Sequence, residues 1–227
     1  LVETRKAQKR LSSRPTVAAG SPAREATLVH FDPLAEHKVA AAFLYRWARE
    51  SYAEVWQRVQ RMSDEERRGV VQEALGRLGP FDAPVREAEY AEYTFDLVLD
   101  YGAYREFKRH RMQSYVSQPL TVHLGYVTPP LIQEAGLQDV FDQAVAAAER
   151  AYHQIEEMDP VLAQYVATHA HQRRVLARMN LRECYHLLKL RTSPQTHFSL
   201  RMVMEKLLEL CAEVHPALFS YLKRRTD

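Results

Sequence analysis

The chain has 227 residues, enough for one sizeable domain or for a domain with a tail. Its 46% hydrophobic and 26% charged content is that of an ordinary globule, and a net charge of +2 is too small to argue for a nucleic-acid partner. Two cysteines in helical patterns, Cys184 and Cys211, argue against a disulfide framework and for a reducing, cytoplasmic setting, and no apolar run approaches the roughly 18 residues that a membrane helix needs.

Residues 1–26 read as a basic linker or tail. Arg5, Lys6, Lys9, Arg10, Arg14 and Arg24 outnumber Glu3 and Glu25, while Ser, Pro and Gly break any period. Aromatic residues for base stacking are absent there, which disfavours a nucleic-acid arm. No signal peptide shows, and Leu rather than Met opens the chain, which suggests a piece of a longer one.

Residues 27–227 are expected to form one domain. Asp32-Pro33 starts a helix with Leu44, Trp47 and Ala48 on one face. Its period continues through Tyr52, Val55, Trp56 and Val59, so one long helix is expected. Ser63-Asp64-Glu65-Glu66 is a capping box that opens the next helix, buried along Val70, Val71, Ala74, Leu75 and Leu78 and ended by Gly79-Pro80. Tyr93–Leu99 reads as a strand and Tyr101–Lys108 as one or two helical turns.

Part of Leu120–Tyr126 reads as extended. Pro129-Pro130 opens a long helix with an apolar stripe of Phe141, Ala144, Val145, Ala148, Tyr152 and Ile155. Asp159-Pro160 restarts the chain as a helix with Leu162, Tyr165 and Val166 facing in. Arg173–Met179 is a further strand, its terminal arginines suggesting an edge or a site rim. Asn180 caps a helix whose Leu181, Cys184, Tyr185 and Leu188 are apolar, with Arg182, His186 and Lys189 on the other face. Ser193-Pro194 begins the last long helix, and Pro216 a short one that ends in Lys223, Arg224 and Arg225.

The chemically charged stretch is Phe107–Tyr115. Lys108, Arg109, His110 and Arg111 stand in a row where a helix ends. Arginine forks suit phosphate bidentately, and histidine donates from either ring nitrogen. The plain alternative is a solvated basic helix end.

This arrangement resembles the flavin-dependent thymidylate synthases. Their signature is Arg-His-Arg-x-x-Ser-x-Asn-Glu-x-Ser-x-Arg-Tyr, and Arg109, His110, Arg111 and Ser114 match it. Val116, Ser117, Pro119, Thr121 and Val122 depart from it. A second family pattern, Asn-x-Arg-x-x-x-(Asn or His)-Phe-Leu-x-Leu-Arg, is met by Asn180, Arg182, His186, Leu188 and Arg191 without a gap. The resemblance spans roughly Asp32 to the C-terminus.

The resemblance implies a helix-rich α/β (α+β) fold with a small mixed sheet, a homotetramer, and FAD bound between subunits. It implies conversion of dUMP to dTMP with methylenetetrahydrofolate and NADPH. Carried over by residue, Arg109, His110, Arg111, Asn180, Arg182 and His186 are cofactor contacts, and Arg191 meets the nucleotide substrate. The family arginine that grips the dUMP phosphate is Thr121 here. An arginine–phosphate bond contributes about 1.5–3 kcal/mol, which a threonine hydroxyl does not replace. Pro119 loses a hydroxyl and a backbone N–H. Tyr90 stands where the family has histidine, Glu106 where it has a substrate-contacting glutamine, and Gln164 for another arginine. The losses gather on the dUMP side and the survivals on the FAD side. Three readings stay open: a domain with a degenerate dUMP site that pairs with a tandem homologous half, an active synthase using other residues, and an interaction module that binds neither ligand.

Overall fold

The computed structural model describes residues 25–225. The expected tail lies outside the described residues as far as residue 24, and Ala26 already opens β1 (Ala26–Phe31), a strand that the sequence reading leaves out. Next come α1 (Ala35–Tyr45), α2 (Tyr52–Arg61) and α3 (Asp64–Leu75), then a 3-10 turn at Arg86–Tyr90 and β2 (Glu92–Asp100). They are followed by α4 (Tyr101–Phe107), β3 (Ser114–Ser117), α5 (Pro130–Glu134), α6 (Gln138–Met158) and α7 (Pro160–Ala163). The chain closes with β4 (Gln172–Asn180), α8 (Leu181–Arg191), α9 (Phe198–Val214) and α10 (Pro216–Phe219).

Among the described residues four strands form one sheet in the order β1-β2-β4-β3. All pairings are antiparallel, so the helix-rich α+β expectation holds while "mixed" gives way to "antiparallel". Alternation along β2 buries Tyr93, Phe95, Leu97 and Leu99, and along β4 Val175, Ala177 and Met179. Leu181, Leu188, Leu200, Met204, Leu207 and Cys211 from α8 and α9 join the same core. The opposite face carries ion pairs beside the exposed apolar Val116 and Leu176: Arg174 donates to Asp96 at 2.7 Å, and Arg178 pairs with Glu92.

Several expectations change here. β4 is not an edge strand, because β3 pairs beyond it. The extended piece forms at Ser114–Ser117, with Gln118 N–H donating the last bond to Arg174 O. Pro119 then has no N–H to continue the ladder, and Leu120–Tyr126 contributes only an isolated bridge from Tyr126 to His171.

The expected long first helix is two helices. Ser51 Oγ accepts from Glu54 N–H, and the Glu54 carboxylate accepts from Ser51 N–H at 2.7 Å. That capping box starts α2 afresh, and Trp47, in the break, is 84% exposed rather than inward. After Pro129-Pro130 the helix also splits, at Gly136, whose φ of +67° no helix interior accommodates.

Of the stripe on α6 only Val145 and Tyr152 are buried, and Leu162 and Tyr165 are exposed rather than inward. Ser193 and Thr196 hydroxyls donate to Leu190 O at 2.8 and 3.0 Å, prolonging the end of α8, so α9 starts at Phe198 and not at Ser193-Pro194. α10 ends at Phe219, which leaves Lys223, Arg224 and Arg225 beyond it.

Candidate functional site

Helix α8 organises the site, and Asn180 sets its start. Asn180 Oδ1 accepts from Glu183 N–H at 2.9 Å, the N-cap that the sequence predicts. Glu183 is almost fully buried. A buried carboxylate needs a partner, and Glu183 Oε1 lies 3.2 Å from His110 Nδ1.

His110 is buried as well, and Arg191 Nε–H donates to its Nε2 at 2.9 Å. Arginine only donates, so Nε2 accepts, and Nδ1–H donates a hydrogen bond to Glu183. Arg191 Nη1 also donates to Glu106 Oε2 at 2.7 Å. A chain Glu183–His110–Arg191–Glu106 therefore ties α8 to the end of α4. Burial pulls the Arg191 guanidinium below its usual range, Glu106 opposes this, and Arg109 adds repulsion.

His186 lies on the same side, with its ring centroid 5.3 Å from that of His110. Burial lowers its pKa, and the nearby Glu183 charge pulls the other way. Arg109 and Arg111 are exposed, and their side chains form no ion pair among the described residues. The structure thus brings His110, His186 and Arg191 into contact, with Arg109 adjacent.

Arg182 works at the other end of α8, about 14 Å away at 1.5 Å per residue. Its Nε–H donates to Pro84 O and its Nη1 to Glu89 Oε1, both at 2.9 Å. Lys189, buried rather than solvated, donates to Gly79 O at 2.7 Å and Asp82 O at 2.8 Å. These two side chains clasp residues 79–89 against α8. That segment walls a cavity of about 890 Å³ whose lining includes Tyr45, Arg46, Tyr52, Arg86, Glu89 and Tyr90.

Sequence reading misses Glu183. Only Asn180 is read there, as the cap, and it is the fold that turns the Glu183 carboxylate onto His110. Glu106 is read as a defect in substrate contact, without sight of its partner Arg191.

This is a helix-rich α+β domain in which a basic helix end and one face of α8 bring arginine and histidine side chains together. The family model described as thymidylate synthase complementing protein matches residues 27–217, and the chain belongs to that family, the flavin-dependent thymidylate synthases. A UPF0159 protein of Chlamydia muridarum is 33% identical over 197 residues, covering 86% of this chain and 37% of its own length. Another, from Thermoplasma acidophilum, is 36% identical over 140 residues, covering 61% of this chain and 28% of its own. The chain therefore spans well under half the length of these relatives. The flavin-dependent thymidylate synthase of Sulfurisphaera tokodaii is 27% identical over 143 residues, covering 59% of this chain and 55% of the relative. Among solved structures, the flavin dependent thymidylate synthase ThyX from Helicobacter pylori, complexed with FAD and dUMP, shares the fold. The TM-score is 0.63 at 20% identity, covering 88% of this chain and all of that one.

Proposed function

We propose that this chain is a flavin-dependent thymidylate synthase-type domain that retains FAD contacts and has a degenerate dUMP site. The observation that carries this reading is the grip of Glu106 on Arg191. The arginine assigned to the substrate is already bonded to a carboxylate at 2.7 Å, where the family has a neutral glutamine. A phosphate would have to displace that carboxylate or share the guanidinium with it, against charge repulsion. Arg109 and Arg111, assigned to the cofactor, are exposed and free of ion pairs among the described residues.

These residues fit the group. Arg109 and Arg111 suit an anionic dinucleotide. The buried Glu183–His110 pair fixes the imidazole at the foot of that basic run. Asn180 and Arg182 are assigned to FAD as well, although the first caps α8 and the second holds Pro84 and Glu89. Where dUMP also bound, FAD with NADPH as reductant would supply the redox chemistry for methylating it with methylenetetrahydrofolate, and the protein would supply position and charge.

A second reading is favoured by one observation. The Chlamydia muridarum relative matches this chain over 37% of its length, which leaves room for a homologous half. On that reading the domain is a catalytically inactive partner, in the cytoplasm, that completes composite sites with an intact half, in an assembly like the tetramer that the resemblance implies.

Purified protein tests the flavin assignment that both readings share and separates them from an active synthase. The expected result is flavin absorbance that stays with the protein through gel filtration after FAD is added, no change in that spectrum on adding dUMP, and no tritium release from C5-labelled dUMP. Tritium release would make the chain an active synthase. Failure to bind FAD, alone and with a co-expressed homologous half, would remove the flavin reading.

A further inference from the structure

We infer that His123, His153 and Glu156 form a binding site for a borderline divalent cation such as Zn2+, which fastens the segment after β3 to helix α6. Their ligand atoms all lie within 4.8 Å of one another. His153 and Glu156 are three residues apart on α6 and share a face. His123 comes from the segment between β3 and α5. His123 Nε2 stands 3.1 and 3.0 Å from the two Glu156 oxygens, and His153 Nδ1 stands 3.8 Å from Oε2. A tetrahedral ion with bonds of about 2.0–2.2 Å holds its ligand atoms about 3.3–3.6 Å apart. The observed spacings straddle that range, so rotamer-scale adjustment closes the site.

An ordinary hydrogen bond accounts for His123 on Glu156. It does not account for His153, which turns Nδ1 toward the same carboxylate beyond hydrogen-bond distance, with its ring 5.3 Å from the His123 ring. Two imidazoles converging on one carboxylate fit a cation that takes one donor from each.

The backbone around the site is fixed by other contacts. His123 N–H donates to Thr121 Oγ1 at 3.1 Å, and Tyr152 O–H donates to Leu120 O at 3.3 Å. Val122 is buried with Tyr152 and Ala163. The Tyr152 ring meets both histidines edge-on, at 5.7 and 6.0 Å. Ordering costs are thus largely met before the ion arrives.

Two nitrogens and one carboxylate oxygen suit Zn2+, Ni2+, Cu2+ or Co2+, and suit Mg2+ and Ca2+ poorly. His123 and His153 are each 54% exposed, which leaves a fourth position open to water and makes the ion exchangeable. The fastened segment carries Pro119 and Thr121, two of the positions where the family signature is lost, so occupancy fixes their placement against α6. The inference is independent of whether the chain binds FAD.

The test is calorimetric titration of the untagged chain with ZnCl2, with MgCl2 as control. One Zn2+ per chain and a higher thermal midpoint with Zn2+ than with Mg2+ are expected. His153→Ala, at an exposed position without a hydrogen bond, is expected to keep the metal-free midpoint and to weaken Zn2+ binding by at least about tenfold, with Glu156→Gln doing the same to binding. Absent binding overturns the proposal. So does equal Zn2+ affinity in the parent and both variants, which would indicate adventitious surface zinc only.

Discussion

The carboxylate of Glu106 accepts a hydrogen bond from Arg191 Nη1 at 2.7 Å. It thereby offsets the charge of the arginine proposed to meet the nucleotide substrate. Glu106→Gln keeps an acceptor for the guanidinium and removes the competing charge. Folding stability is expected to fall by about 1 kcal/mol, since a charge-assisted bond becomes a neutral one. Affinity for dUMP is expected to rise by up to about tenfold, equal to about 1.4 kcal/mol. Urea midpoints and equilibrium dialysis measure the two quantities. Unchanged dUMP binding would mean that Glu106 is not what blocks the substrate side.

Arg109 and Arg182 are both assigned to FAD, yet their surroundings differ enough to separate them. Arg109 is exposed with no ion pair among the described residues, so Arg109→Ala is expected to leave the thermal midpoint in place and lower FAD affinity. Arg182 holds Pro84 O and Glu89, so Arg182→Ala is expected to cost about 1–2 kcal/mol of stability and to loosen residues 84–89 as well. Flavin fluorescence titration beside thermal melts reads both effects. If Arg109→Ala retains FAD as well as the parent, the cofactor assignment of the basic run is wrong.

The two capping boxes give a stability prediction free of any functional assumption. Ser63 Oγ accepts from Glu66 N–H at 3.2 Å and Glu66 accepts from Ser63 N–H at 2.7 Å, and Ser51 and Glu54 repeat the pattern. Ser51→Ala and Ser63→Ala are each expected to cost about 1 kcal/mol. The helix starts are separate, so the double variant should lose close to the sum. Chemical denaturation checks this, and a loss near zero for either would show that its cap does not limit stability.

What the sequence makes legible follows from what is local. Ser63-x-x-Glu66, the alternation Tyr93–Leu99 and the Asn180 cap act over a few residues, and all stand as expected. Ser51-x-x-Glu54 carries the same signal as Ser63-x-x-Glu66, but the period of Val55 and Val59 continues that of α1 and hides it. β1 is missed because its burial alternates poorly, with Val29 and His30 both exposed. Trp47, Leu162 and Tyr165 are apolar by type and exposed in fact, which periodicity alone does not reveal. At the site, the motifs locate His110, His186 and Arg191, but the pairings of His110 with Glu183 and of Arg191 with Glu106 span 73 and 85 residues. No local rule encodes contacts of that range.

Two buried histidines make stability depend on pH. His171 is fully buried, and its Nδ1 accepts from Thr168 N–H at 2.9 Å. Protonating that nitrogen would turn an acceptor into a donor facing a donor. His215 is buried with Nδ1 3.0 Å from the Tyr93 hydroxyl. Burial pushes both pKa values below the ordinary histidine value, and Glu149 for His171, and Glu36 and Asp32 for His215, only partly oppose it. The unfolded chain therefore binds protons more readily than the folded one between the depressed values and about 6.5. Stability is expected to be at its full value above about pH 6.5, to fall as pH drops through that window, and to flatten below it, by at most about 1.4 kcal/mol per pH unit for each histidine. His171→Gln should remove part of the slope even though it lowers stability at neutral pH. Urea midpoints measured across the series would show it, and a flat profile from about pH 7 to about pH 5 would mean that neither imidazole is held neutral by the fold.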